Sequence, residues 1–164
     1  MADTAWEMGD RREAVRCLLI PLTGRKLLLP SVAVAEVLAY AVVKPASDAP
    51  EWFLGMMEWR SVHIPLISFE KLIGEPVSES SSRHRVAVFH TIGESEKGKD
   101  RQPFYGIAIQ GIPHLIQLRE SELTMLQTSS SDEPVLFRVE VQGQLAIIPN
   151  LALLEERLDS VDIP

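Results

Sequence analysis

The stretch that most constrains the fold runs from Trp52 to Phe69, Trp-Phe-Leu-Gly-Met-Met-Glu-Trp-Arg-Ser-Val-His-Ile-Pro-Leu-Ile-Ser-Phe. Its apolar residues cannot all lie on one helical stripe, whereas two short strands turning near Arg60-Ser61 accommodate them. Gly55 opens this hairpin, since glycine takes positive φ or lets another backbone approach closely. Pro65 has no N–H to donate to a ladder, which predicts an edge or bulged position for the second arm. The stretch carries a charged tip, Glu58 to Arg60, and no convergent set of reactive groups.

Hairpins recur on both sides of it. Cys17 to Leu22 and Lys26 to Pro30 are apolar runs joined by Thr23-Gly24-Arg25, a hairpin turn. Ser31 is placed to cap one helical turn before a strand from Glu36 to Val43. Lys44 to Glu51, with Pro45, Asp48 and Pro50, reads as a surface loop ending in a helical turn before Gly55. Phe69 to Ile73 is a short helix stopped by Gly74, and Val77 to Ser82 is a flexible polar connector. Apolar strands then follow at Arg85 to Thr91, Phe104 to Ile109 and Ile112 to Leu118. A charged loop over Gly93 to Gln102 lies between the first two. Glu120 to Leu126 reads as a brief turn of helix and Ser129 to Pro134 as a loop. Val135 to Val141 and Leu145 to Ile148 form a last hairpin about Gln142-Gly143. Leu151 to Leu158 closes the chain as an amphipathic helix, with Leu151, Leu154 and Leu158 on one face and Glu155, Glu156 and Arg157 elsewhere. About ten short strands with few helices predict an all-β sandwich or small barrels, without a sequence repeat strong enough to mark a duplication.

At 164 residues the chain suits one domain over 14–160, preceded by a loose arm over 1–13 whose Trp6 is placed to dock on the body. A net charge of −7 opposes phosphate binding, which excludes nucleic acid as the expected partner. The single cysteine, Cys17, reads as a small buried hydrophobe in a reducing compartment. No signal-like start and no apolar run of about 18 to 20 residues is present, so the expected location is cytoplasmic, without membrane insertion.

The chemistry of an enzyme is missing. Gly93-Glu-Ser-Glu-Lys-Gly98-Lys99-Asp100 approaches a phosphate-binding loop, but Asp100 replaces the metal-ligating hydroxyl and acidic residues would repel phosphates. His63, His84, His90 and His114 lack the close pairing of a metal site, and no nucleophile motif accompanies the serines. The expectation is no catalytic residue, no metal and no cofactor. Glu36 and Arg60 each interrupt an apolar segment, which leaves them facing solvent or pairing across neighbouring strands.

The order of these features resembles the CheW-like family of chemosensory adaptors. Leu28-Leu29-Pro30, Val34-Ala35-Glu36-Val37, the Pro45 to Pro50 loop, Gly55 to Phe69 and Leu72-Ile73-Gly74 follow the family's order and spacing. Tyr105 to Ile109 is similar to its Gly-Leu-Leu-Val-Asp strand and Leu145 to Leu158 to its closing strand and helix, so the resemblance covers about residues 16 to 158. It implies two small five-stranded β-barrels sharing a hydrophobic core, and a scaffold without catalysis. The implied partners are the regulatory domain of a CheA-type histidine kinase and the cytoplasmic tip of a chemoreceptor. Val34, Glu36, Gly55 and Arg60 match family positions linked to partner binding. Ser61 stands in place of a glycine, Glu58 in place of an asparagine, and Ser68, Gln110 and Asn150 near recurrent aspartates. These departures suggest a divergent adaptor of a pilus-linked chemosensory system. The alternatives from other classes are a structural β-barrel interaction module outside chemosensing, or a small β-barrel ligand-binding domain or enzyme.

Overall fold

The computed structural model describes residues 14–40, 43–78, 84–93 and 102–161. The expected arm over 1–13, Trp6, and most of the 77–82 connector and the 93–102 loop lie outside these. Among the described residues, eleven strands and two α-helices follow in order: β1 (Val15–Leu22), β2 (Arg25–Pro30), β3 (Val34–Ala39), β4 (Phe53–Trp59), β5 (Val62–Ile67), α1 (Phe69–Leu72), β6 (Arg85–His90), β7 (Phe104–Ile109), β8 (His114–Leu118), β9 (Leu123–Thr128), β10 (Val135–Val141), β11 (Gln144–Pro149) and α2 (Leu151–Asp159). They form a six-stranded sheet, β8-β1-β2-β11-β10-β9, and a five-stranded sheet, β3-β6-β7-β5-β4.

The two orders are the same pattern built twice. A hairpin, β1-β2 or β6-β7, is flanked by an antiparallel strand, β8 or β3, and on its other side by a parallel strand, β11 or β5. That parallel strand pairs with its own hairpin partner, β10 or β4. Each sheet therefore takes one hairpin from one half of the chain and its remaining strands from the other half. Neither half can complete a sheet alone.

Both faces of the central strands are buried, which explains why they read as continuous apolar runs. On β6, Ala87 and Phe89 enter a core shared between the sheets, while Val86 and Val88 enter the interior of the five-stranded sheet. On β1, Ile20 and Leu22 enter the shared core, while Cys17 and Leu19 line the interior of the six-stranded sheet. Two sheets pack around a common core as expected, but the larger has six strands in place of five, and among the described residues neither sheet closes into a hydrogen-bonded barrel. The hydrogen-bonded ladders leave β3 and β4 as edges of the smaller sheet. Burial raises the pKa of the Cys17 thiol. Native Cys17 should react with iodoacetamide far more slowly than after denaturation in urea, as mass spectrometry of timed samples would show.

The central hairpin turns where the sequence places it. Arg60 and Ser61 have φ of 48° and 65°, the two positive values of a type I′ turn. Ser61 thus holds a left-handed conformation that glycine occupies without cost. Ser61→Gly should raise stability by about 0.5 to 1 kcal/mol, read as a higher urea midpoint at constant m. Gly55, at φ 137°, is buried beside the Lys44 carbonyl.

Several local expectations are corrected. Pro65 lies on β5, an internal strand, because the parallel ladder to β7 comprises Leu66 and Ile67 and begins past the proline. The bulge falls on β4, where Leu54 is skipped between Phe53 and Gly55. The turn at Ser31–Ala33 is 3-10 and has no side-chain cap. Strand β3 begins earlier than expected, at Val34. The segment after Pro50 makes a turn, with Phe53 N–H donating to the Pro50 carbonyl at 3.0 Å, and no helix. Glu120–Glu122 is a 3-10 turn, and the following Leu123–Thr128 is a strand, β9, that sequence patterning misses. Its residues are exposed almost throughout, so no buried face imposes an alternation.

Both described helices carry side-chain caps that were not expected from the sequence. Ser68 Oγ accepts from Lys71 N–H at 3.3 Å and Asn150 Oδ1 from Leu153 N–H at 3.1 Å. Both stand near recurrent aspartates of the family and perform the capping that an aspartate would.

Glu155, expected on the polar face of α2, is 1% exposed. Its carboxyl oxygens accept from Gly93 N–H at 2.8 Å, from Ile92 N–H at 3.2 Å and from the Tyr105 hydroxyl at 3.4 Å. Glu70 of α1, also 1% exposed, accepts from Thr23 N–H in the β1-β2 turn at 3.2 Å. Each helix thus carries one buried carboxyl group that ties it to the turn of a hairpin from its own half of the chain, or to the strand end beside it.

Candidate partner-binding site

The four residues singled out in the sequence fall on the two edge strands of the five-stranded sheet. Val34 and Glu36 lie on β3, and Gly55 lies on β4 with Arg60 at its turn. Edge β3 and edge β4 are not hydrogen-bonded to each other, yet the Glu36 side chain reaches both Trp59 and Arg60. Trp59 Nε1–H donates to Glu36 Oε2 at 2.7 Å, and an Arg60 guanidinium nitrogen lies 3.3 Å from the same oxygen. The Arg60 guanidinium also sits 4.8 Å over the Trp59 ring, a cation–π contact. The sheet therefore curls until its edges face each other, and this cluster forms the seam.

A bulge on β3 turns Glu36 toward that seam. Val34 pairs with Phe89 and Glu36 with Val88, so Ala35 is the extra residue. Simple alternation would carry Glu36 back to the shared core with Val34. The bulge instead gives that place to Val37, and a carboxylate escapes burial. Val34 stays half-buried against the shared core.

Backbone closes the seam lower down. Lys44 N–H donates to Met56 O at 3.0 Å and Met56 N–H to Lys44 O at 3.2 Å, an isolated antiparallel bridge. A Cβ on Gly55 would stand 2.2 Å from the Lys44 carbonyl oxygen. Gly55 is thus a point of backbone approach and has no side chain, whereas Glu36 and Arg60 place charged groups at the exposed surface of the seam.

The Glu36–Arg60 pair joins the seam, with the side chains 40% and 68% exposed. Such a pair contributes about 0 to 1 kcal/mol to stability. Its exposed groups remain available to another molecule. Glu58, also at the tip, is exposed opposite His63, and Val62 beside the turn is an exposed apolar residue. Charge beside exposed apolar surface, on a rigid hairpin, is the makeup of a recognition surface. Trp59 is the member that sequence reading passed over, and the signal was the tryptophan adjoining a charged turn. Gln110 anchors the other subdomain, its N–H donating to the Pro21 carbonyl at 2.9 Å.

Among the described residues no group of three or more His, Cys, Asp or Glu side chains is placed to hold a metal. No helix among them is long and apolar enough to cross a membrane.

Comparison with known proteins agrees with this architecture. The sequence profile of the CheW-like domain matches residues 16–158. No curated protein sequence matches the chain. Among solved structures, the chain is similar to the scaffolding protein TtCheW from Thermoanaerobacter tengcongensis, with a TM-score of 0.70 at 17% identity, covering 88% of this chain and 89% of that one. At that identity the likeness speaks for the fold. The profile spans both sheets, the seam and the closing helix, and on that evidence the chain belongs to the CheW-like family.

Proposed function

We propose that this protein is a non-enzymatic cytoplasmic adaptor that couples chemoreceptors to a CheA-type histidine kinase. The observation that carries the reading is the family match across residues 16–158, supported by a fold shared with a scaffolding protein. The seam residues Glu36 and Arg60, shaped by Gly55 and flanked by Val34, are the proposed contact surface for a partner. Adaptor action needs no chemistry of its own. Contacts that hold receptor and kinase together raise the effective concentration of each toward the other, and a receptor's change of state then shifts kinase activity. The departures at Glu58 and Ser61 sit at the tip of the same hairpin, so the partner preferred here differs in charge from that of an ordinary member; a pilus-linked system is the setting we assign.

Reconstitution tests the reading. Receptor cytoplasmic fragments and a CheA-type kinase, combined with and without this protein, should show kinase autophosphorylation that rises with the protein only when receptor is present. Autophosphorylation unchanged by the protein in the presence of receptor would overturn the reading.

A further inference from the structure

The six-stranded sheet carries a groove far from the seam that the adaptor reading does not use. It is a cavity of about 240 Å³ bordered by Lys26 on β2, Leu145 and Ile147 on β11, Arg138 on β10 and Leu126 on β9. Four adjacent strands form its floor. Neighbouring strands lie about 4.8 Å apart, so the floor is about 14 Å across, the reach of roughly four extended residues. The volume is below the roughly 300 Å³ at which drug-sized ligand pockets begin, and the groove is an open trough.

Its charge runs against that of the molecule. The chain carries −7 overall, yet Arg25, Lys26 and Arg138 all border this groove and, among the described residues, no acidic residue does. Arg25 is neutralised by an ion pair with Glu75. Lys26 is bonded to the neutral amide of Gln144, which leaves its charge uncompensated. Arg138 is half-buried, and the nearest acid along its strand, Glu140, lies outside the lining. Leu145, 69% exposed, lies on β11 between the strands of the two cations, and Leu126, 50% exposed, lies on β9 beyond Arg138. Exposed leucines beside cations complement a segment in which acidic and apolar side chains are interspersed.

We infer that this groove is a second docking site, which takes an acidic, leucine-containing extended peptide segment of a partner protein. Lys26 and Arg138 would pair with its carboxylates, and Leu126 and Leu145 would cover its apolar side chains. The inference is independent of the seam and of the adaptor reading.

The test uses the full chain, labelled with nitrogen-15, titrated with the synthetic peptide acetyl-Glu-Leu-Glu-Leu-Glu-amide and with its lysine counterpart. The acidic peptide should shift the amide signals of Lys26, Leu126, Arg138 and Leu145, saturably, and more weakly as salt rises. Signals of Glu36 and Arg60 should stay in place. Lys26→Glu and Arg138→Glu, examined separately so that one failure to fold leaves the other, should each weaken binding at least tenfold. The inference is overturned if these signals stay still at millimolar peptide, if the lysine peptide moves them equally, or if both folded variants bind as the parent does.

Discussion

Gly55→Ala should be the most damaging small substitution in the protein, lowering stability by about 3 to 4 kcal/mol and the thermal midpoint by about 10 °C. Two effects add. The residue holds φ 137°, which L residues rarely adopt, and the new Cβ would lie 2.2 Å from the Lys44 carbonyl oxygen and 2.6 Å from a Val43 methyl carbon. The obstructing oxygen belongs to backbone that is bridged to Met56, so relief requires breaking the bridge that closes the seam. Gly143→Ala separates the two effects. Gly143 has φ 73° in a hairpin turn with nothing within 4 Å of an added Cβ, so it should lose only about 1 kcal/mol. Urea unfolding of both variants checks the difference. Equal losses would mean that the close approach to Lys44 contributes nothing.

Glu155→Ala should cost about 2 to 4 kcal/mol, although helix propensity alone favours alanine at that position. The substitution removes an acceptor from the Ile92 and Gly93 amides and from the Tyr105 hydroxyl, and leaves a cavity under α2. Tyr105 is 1% exposed, so water cannot readily take the place of the carboxylate beside it. Glu155→Gln keeps the volume and one acceptor oxygen and should lose roughly half as much. Amide exchange locates the damage, since Ile92 and Gly93 should lose protection at free energies well below global unfolding. An alanine variant as stable as the parent would make the buried carboxyl group dispensable.

Glu155 also marks where sequence reading stops. A glutamate beside Glu156 and Arg157 on a leucine-striped helix reads as solvated, because helical period records polarity and cannot record the amides that another element brings to it. Local chemistry was legible. Gly24, the Arg60-Ser61 turn, Gly74 and Gln142-Gly143 all stand where residue type placed them, whereas the one cap expected, at Ser31, is absent. Pairing between distant strands was not. The parallel contacts of β2 with β11 and β5 with β7 rest on one and two residue pairs and join the two halves of the chain. No local pattern encodes a partner some 120 residues away, so the twofold repetition appears in topology while the sequence shows no repeat. Pro65 misled for the same reason. Its missing donor matters only where a neighbour asks for it, and β7 begins pairing one residue later.

The candidate site was legible in part. Glu36 and Arg60 were readable as charges interrupting apolar segments, and the structure brings them together. That they meet across the open edges of one sheet, with Trp59 between them, depends on the curl of the sheet and on the bulge at Ala35. Gly55 was readable as a special backbone position, but only the fold identifies the Lys44 carbonyl as what it must avoid.

The adaptor reading meets its most direct test in calorimetric titration of this protein with a CheA-type kinase regulatory domain and with a receptor-tip fragment, for the parent and for Arg60→Glu. Arg60 is 68% exposed at a turn, so its reversal should change stability by no more than about 1 kcal/mol. The reversal places two carboxylates at the seam and should weaken partner binding at least tenfold, about 1.4 kcal/mol. The account predicts binding of the parent to at least one of the two and its loss in a folded Arg60→Glu variant. Absence of binding to both, or equal binding by parent and variant, would contradict it.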